Sequence, residues 1–177
     1  MSELSPAALS LAALSVEYCK AVTDAAMKNP REVLRDIIRY LPRIYITLCD
    51  LRPYDDDADT APEETGAIYD SVTEEQYDEV LEGLRTMLGA NDMYLDTPVE
   101  EMRYSDTPVA VSLAEELADI YQNVADCAAT IGQATAEMMP EVLSEMKYRF
   151  ATYLSTTLCS ALRASNYIYY NVQFDEE

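Results

Sequence analysis

The chain has 177 residues, 49% of them hydrophobic, and carries 33 acidic against 12 basic side chains, a formal net charge of −21. It contains no histidine, which excludes Ser-His and Cys-His catalytic pairs, a histidine general base and His-ligated zinc centres. The excess negative charge repels phosphate backbones and anionic lipid surfaces, so we expect no direct nucleic-acid binding and no membrane binding.

The length and hydrophobic content predict a single helical domain over residues 1–177. The apolar stretch at 7–16 follows Glu3 rather than the basic residues of a secretory signal, and no run approaches the roughly 18 apolar residues of a membrane span. We therefore expect a cytoplasmic protein. The four cysteines are far apart and have apolar neighbours, which predicts reduced thiols in the core.

Two amphipathic helices are predicted first in chain order. Apolar residues at steps of three and four follow Pro6 and indicate a first helix that ends near Asn29. Asn29 and Pro30 form a cap and first position for the second helix. The inward residues of that helix are Leu34, Ile37, Leu41, Ile44 and Leu48. Pro42 removes an amide donor inside it, so we expect a kink or a division there.

An acidic loop over 53–72 separates the second helix from the third. Thr73 and Gln76 then predict a capping box, and a third helix should stop at Gly89. Residues 90–107 are predicted to be an irregular connection that packs back over the bundle.

Two further helices complete the prediction, an all-α bundle of five to six helices. Leu113, Leu117, Ile120, Val124, Cys127 and Ile131 give the fourth helix the spacing of a bundle core. A fifth helix opens at Pro140 and continues to about Tyr170, with residues 171–177 as an extended tail; an alternation over 167–174 leaves a strand open as the alternative.

An arginine row on the second helix is the first candidate site. It consists of Arg31, Arg35, Arg39 and Arg43, four residues apart on one side of the helix. Guanidinium groups bind carboxylates and phosphates through paired hydrogen bonds. Two partners stay open: the acidic loop that follows in the chain, and an external acidic protein or phosphorylated ligand.

Acidic residues on the third and fourth helices form the second candidate site. Glu74, Glu75 and Asp78 open the third helix, and Glu116 and Asp119 lie on the fourth. Carboxylates at such spacing can hold Mg²⁺ without histidine. Locally they resemble the Glu-Glu-x-x-Glu and Glu-x-x-Asp helices of MazG-type all-α nucleoside triphosphate pyrophosphohydrolases. Helical geometry places Asp119 away from the apolar stripe, so it should point toward solvent.

The segments 104–109 and 112–121 resemble the bacterial domain of unknown function 5063, as do 147–153 and 162–164. The likeness covers nearly the whole chain and implies a small all-α bacterial protein, with no activity or cofactor to carry over. We therefore expect a non-catalytic, cytoplasmic interaction or adaptor protein that binds a protein partner, with homodimerisation left open. The alternative is a Mg²⁺-dependent pyrophosphohydrolase-like enzyme.

Overall fold

The computed structural model describes residues 6–52, 61–98 and 103–174. Six α-helices and two strands lie within them. In chain order they are α1 (Pro6–Val22), α2 (Pro30–Cys49), α3 (Glu74–Leu88), β1 (Met93–Asp96), β2 (Val109–Ser112), α4 (Leu113–Gln133), α5 (Met139–Arg149) and α6 (Ser155–Asn171). The architecture is mostly all-α, as the sequence predicts. None of these helices combines the length and apolar character needed to cross a bilayer.

The helices pack their apolar faces into one continuous core. All six stripe residues predicted for α4 are buried, and so are the five inward residues predicted for α2. Tyr18 of α1 is fully buried, and its hydroxyl donates to the backbone carbonyl of Leu117 in α4 at 2.9 Å, so the first and fourth helices are joined by a hydrogen bond inside the core. Burial of these stripes supplies most of the energy that orders the bundle.

Three predictions about helix ends and interiors have clear outcomes. The Thr73 capping box is confirmed, because the Thr73 hydroxyl accepts from the Gln76 amide and the Gln76 side chain accepts from Thr73. Asn29 caps α2, and its side-chain oxygen accepts from the Arg31 amide at 2.9 Å. Pro42 lies inside α2, which continues through it to Cys49 without division.

α5 and α6 form one helical path joined by a π-helical turn at Phe150–Leu154. Counting that path as one helix or two gives the predicted five to six. Residues 167–171 belong to α6, which ends at Asn171, so the strand alternative is wrong. Val172 and Phe174 of the predicted tail pack against the core, and residues 175–177 lie outside the described part of the chain.

The connection after α3 is not irregular throughout, which corrects the prediction for 90–107. β1 and β2 form an antiparallel two-stranded sheet in which Tyr94 faces Val111 and Asp96 faces Val109. The alternation in 93–96 and 109–112 is too short to stand out beside the long helical stripes. The predicted packing of this connection over the bundle holds at Tyr94, which packs against the core, but not at Tyr104, which is 91% exposed.

Two buried carboxylates hold the described half of the acidic loop, residues 61–72. Asp126 of α4 accepts hydrogen bonds from the Ser71 and Val72 amides and the Ser71 hydroxyl, at 2.7, 2.8 and 2.7 Å. Glu145 of α5 accepts from the amides of Thr65 and Gly66 at 2.7 and 2.9 Å. The loop is thus fixed through its backbone, and residues 53–60 of the prediction lie outside the described residues.

The cysteine prediction holds for only part of the set. Cys127 is buried and Cys19 half-buried, but Cys49 and Cys159 are exposed. The two exposed cysteines lie on the outer sides of α2 and α6. Their apolar neighbours in the sequence face the core, because successive residues of a helix point in different directions. All four thiols are free.

Candidate functional site

The arginine row lies on the outer face of α2. Arg31, Arg35, Arg39 and Arg43 are all exposed, while the opposite face of the helix is buried. Twelve residues of helix separate the first and last arginine, so the row extends over about 18 Å. Each step of four residues turns by about 40°, which keeps the four guanidinium groups on one side of the molecule.

Few other side chains in the described residues contact these guanidinium groups. Arg31 stacks over the Tyr169 ring, with Cζ 5.0 Å from the ring centroid. Arg35 forms an exposed ion pair with its neighbour Asp36 at 3.3 Å. Arg39 and Arg43 form no salt bridge with any residue in the described ranges. Most donors of the row are therefore open to solvent.

The described half of the acidic loop does not neutralise the row. Its segment 61–72 is bound to α4 and α5, through Asp126 and Glu145 and through a hydrogen bond from Tyr69 to the Ala129 carbonyl at 3.1 Å. No salt bridge between this segment and α2 occurs among the residues that the structure places. Internal pairing is thus absent for 61–72, and for 53–60 it stays a prediction.

The acids predicted on α3 lie on its exposed face. Glu74, Glu75 and Asp78 are solvent-exposed, next to Glu79 and Glu82. Glu74 and Glu75 occupy the first turn, where negative charge is stabilised by the helix dipole. Their position is therefore accounted for without a ligand.

Glu116 lies elsewhere, between α4, β1 and α6. Its carboxylate accepts hydrogen bonds from the Tyr94 hydroxyl at 2.7 Å and from the Ser160 hydroxyl at 2.5 Å. Burial raises the pKa of Glu116 above its ordinary value, and the two hydroxyl donors lower it by less. Glu116 thus connects the small sheet to two helices.

Asp119 does not point into solvent, which corrects the prediction from helical geometry. It is half-buried against α3 and accepts a hydrogen bond from the Tyr77 hydroxyl at 2.7 Å. Burial is the largest cause that raises the pKa of this carboxyl. The prediction was wrong because α3 packs beside the apolar stripe of α4. It covers Asp119, which directly precedes Ile120 of that stripe in the sequence.

The five acids of the predicted metal site do not form one cluster. Glu116 faces β1 and α6, Asp119 faces Tyr77, and the three acids of α3 face outward. Across 6–52, 61–98 and 103–174, no group of three or more acidic or cysteine side chains is arranged to hold a metal ion.

Sequence reasoning missed Asp126 and Glu145, the carboxylates that fix the acidic loop. A signal for Asp126 exists, because it is the one charged residue between Ile120 and Gln133. A lone charge in an otherwise uncharged stretch of a core helix indicates a buried, hydrogen-bonded role. Glu145 gives no such signal, since Glu141, Lys147 and Arg149 surround it in the sequence.

A family model described as Domain of unknown function (DUF5063) matches residues 2–171, almost the entire chain. The chain belongs to this family. The resemblance seen in the sequence is therefore confirmed. A comparison with curated proteins gives no match.

A solved structure supports the same fold for this DUF5063 member. The crystal structure of protein BF1032 from Bacteroides fragilis matches with a TM-score of 0.72 and 22% sequence identity, over 97% of this chain and 98% of the other. At this identity the likeness shows a shared fold.

Proposed function

We propose that this DUF5063 protein is a non-catalytic interaction protein that binds an acidic segment of a partner protein along the arginine row of α2. The observation that carries the proposal is the exposure of all four arginines, two of which have no salt bridge with any described residue. In a chain of net charge −21, this row is a local excess of positive charge. An acidic partner segment is a ligand that such a row of guanidinium groups attracts and binds through paired hydrogen bonds.

The chemistry of the row favours carboxylate groups in series. Steps of about 6 Å along the helix axis match the spacing of acidic side chains on a facing helix or an extended segment. Tyr169 holds Arg31 in place through its ring, which reduces the side-chain entropy lost on binding. Each contact is individually weak, so recognition depends on several arginines acting together.

The magnesium-dependent alternative has less support from the geometry. Hydroxyl donors already engage Glu116 and Asp119, and the acids of α3 lie on a different face. No described feature joins these acids to the arginine row. We therefore retain binding without catalysis as the proposed function.

A fluorescein-labelled polyglutamate peptide of about 15 residues is a direct probe of the row. Its binding is measured by fluorescence anisotropy in 0.1 M NaCl, where the Debye length of about 10 Å screens distant carboxylates more than local arginines. The test variant is Arg35→Gln with Arg39→Gln. At about 0.2–1 kcal/mol for each exposed charge, the affinity should fall about 2- to 30-fold.

The matched control is Lys20→Gln with Arg103→Gln, which removes the same two charges at exposed positions outside the row. The control should bind like the wild type within about twofold, because the arginine row is intact. Equal losses in both double variants would show a nonspecific effect of net charge. That result, or the absence of peptide binding by the wild type, would refute the proposal.

A further inference from the structure

β1 has an open edge. In the described residues the sheet has only β1 and β2, so each strand has one edge without a neighbour. The Leu113 amide donates to the Asp92 carbonyl at 2.9 Å, and hydrogen-bonded pairs alternate along an antiparallel ladder. Tyr94 and Asp96 therefore pair with β2, and the N–H and C=O groups of Met93 and Leu95 point to the open edge.

A groove of about 420 Å³ runs between this strand and α6. Its apolar lining consists of Ala90, Met93, Leu95, Ala164, Tyr167 and Ile168. Three of these side chains are largely exposed, Met93 at 57%, Leu95 at 68% and Tyr167 at 63%. Unpaired strand groups and an apolar groove thus lie side by side.

Among the residues that the structure describes, one cation, Arg163, and no acidic residue line this groove. Arg163 stacks near the Tyr94 ring, 5.9 Å from its centroid, and pairs with Asp96 through Nη2. Its Nε and Nη1 groups keep their donors for a second anion. The lining therefore accommodates an apolar side chain, and the donors of Arg163 that Asp96 leaves free can receive a neighbouring carboxylate.

We propose that an extended segment of a partner protein adds to the open edge of β1, antiparallel or parallel, as a third strand. Its backbone pairs with Met93 and Leu95, one apolar side chain enters the groove, and a neighbouring carboxylate reaches Arg163. Strand addition of this kind obtains affinity from the backbone and specificity from side-chain pockets. This site is separate from the arginine row and does not depend on the proposed function.

A segment of another protein suits this edge better than a second copy of the chain. β1 has only four residues, and a stable protein dimer buries about 1,200–2,000 Å² in total. Pairing of two such strands would supply a small part of that area while bringing together two chains of net charge −21. A short peptide can bind with the smaller contact area that the groove and the strand edge offer.

The test uses Leu95→Pro, which removes an amide that faces the open edge and leaves the β1–β2 ladder intact. The matched control is Ala110→Pro, because Ala110 is paired opposite Leu95 and its amide faces the outer edge of β2. Tyr167→Glu is a second test variant that alters the groove without touching the sheet. Circular dichroism and thermal melting establish that each variant is folded.

A phage-displayed library of random ten-residue peptides is selected on the wild type, and enriched peptides are then measured as synthetic peptides. We expect peptides with an apolar residue next to an acidic one to bind the wild type and Ala110→Pro alike. Binding to Leu95→Pro and Tyr167→Glu should be about tenfold weaker or more, since one strand hydrogen bond or the groove contact is lost. Hydrogen–deuterium exchange of the Met93 and Leu95 backbone amides should slow when the peptide is bound.

Three outcomes would overturn the proposal. The first is that no peptide is enriched, and the second is that enriched peptides bind both test variants as tightly as the wild type. The third is a dimer in sedimentation velocity that Leu95→Pro converts to a monomer, because the occupant of the edge would then be a second copy.

Discussion

Replacing Asp126 with alanine should lower the free energy of unfolding by about 3 kcal/mol. The carboxylate is 1% exposed and accepts three hydrogen bonds from Ser71 and Val72. Those two residues come directly before the Thr73 cap, so Asp126 fixes the point at which α3 begins. The substitution should therefore loosen the start of α3 as well as the loop.

The magnitude follows from the groups left without a partner. Each backbone N–H that loses its acceptor costs about 1–3 kcal/mol, with partly buried amides such as these near the lower half of the range. Two amides give about 3 kcal/mol, and the lost hydroxyl contact adds to this. Removal of a buried charge returns part of its desolvation cost, which brings the net value back to about 3 kcal/mol.

The assay is urea unfolding followed by circular dichroism, with Asp70→Ala as the control because it removes the same charge from the exposed part of the segment. The control should change stability by less than about 0.5 kcal/mol. Asp126→Asn keeps an acceptor oxygen and should have an intermediate effect. The reasoning is refuted if Asp126→Ala and Asp70→Ala have the same unfolding free energy.

Other predictions concern Glu145, Glu116 and Pro42. Burial raises the pKa of Glu145, but the Gly66 amide, Arg149 and the Thr65 amide together lower it by more than burial raises it. The folded pKa of Glu145 therefore lies below the ordinary value. The ionised carboxylate therefore stabilises the fold above the unfolded pKa, and this stabilisation is lost as pH falls through the folded pKa. In urea titrations at pH 7, Glu145→Gln should unfold more easily than the wild type. The difference should be smaller near pH 3, about one unit below the ordinary pKa of a glutamate. The folded pKa of Glu116 is raised, so Glu116→Gln, which keeps an acceptor for Tyr94, should be more stable than the wild type at pH 7. This advantage should disappear as pH falls through the folded pKa, because the wild-type carboxyl then becomes protonated. An advantage of the variant that persists at low pH would contradict this. Pro42→Ala should raise the unfolding free energy by about 1–3 kcal/mol, because proline is costly in a helix interior, whereas Pro30→Ala at the first position of α2 should give no gain in the same measurement.

The sequence predicts the helices well because their signals are local and repeated. The stripes of α2 and α4 and the caps at Asn29 and Thr73 each depend on residues within a few positions of one another. Such patterns need no knowledge of what packs against them. The arginine row was predicted for the same reason, since the outer face of one helix determines its exposure.

The contacts between distant residues could not be predicted in this way. Asp119 meets Tyr77 across 42 positions, and Asp126 meets Ser71 across 55. Each pair depends on how α4 lies against another element, and periodicity within one helix does not contain that information. The four-residue strands were missed because pairing with a distant strand, rather than their own pattern, makes them strands.

The π-helical turn at Phe150–Leu154 makes chain length in this region as important as residue identity. A π turn contains one residue more than a regular helical turn, so it shifts the phase of everything that follows by about 100°. Glu145 before the turn is thereby aimed at the acidic loop, and Ser160 after it at Glu116. Deletion of a single residue between 150 and 154 would restore a regular helix and rotate the two contacts out of phase with each other.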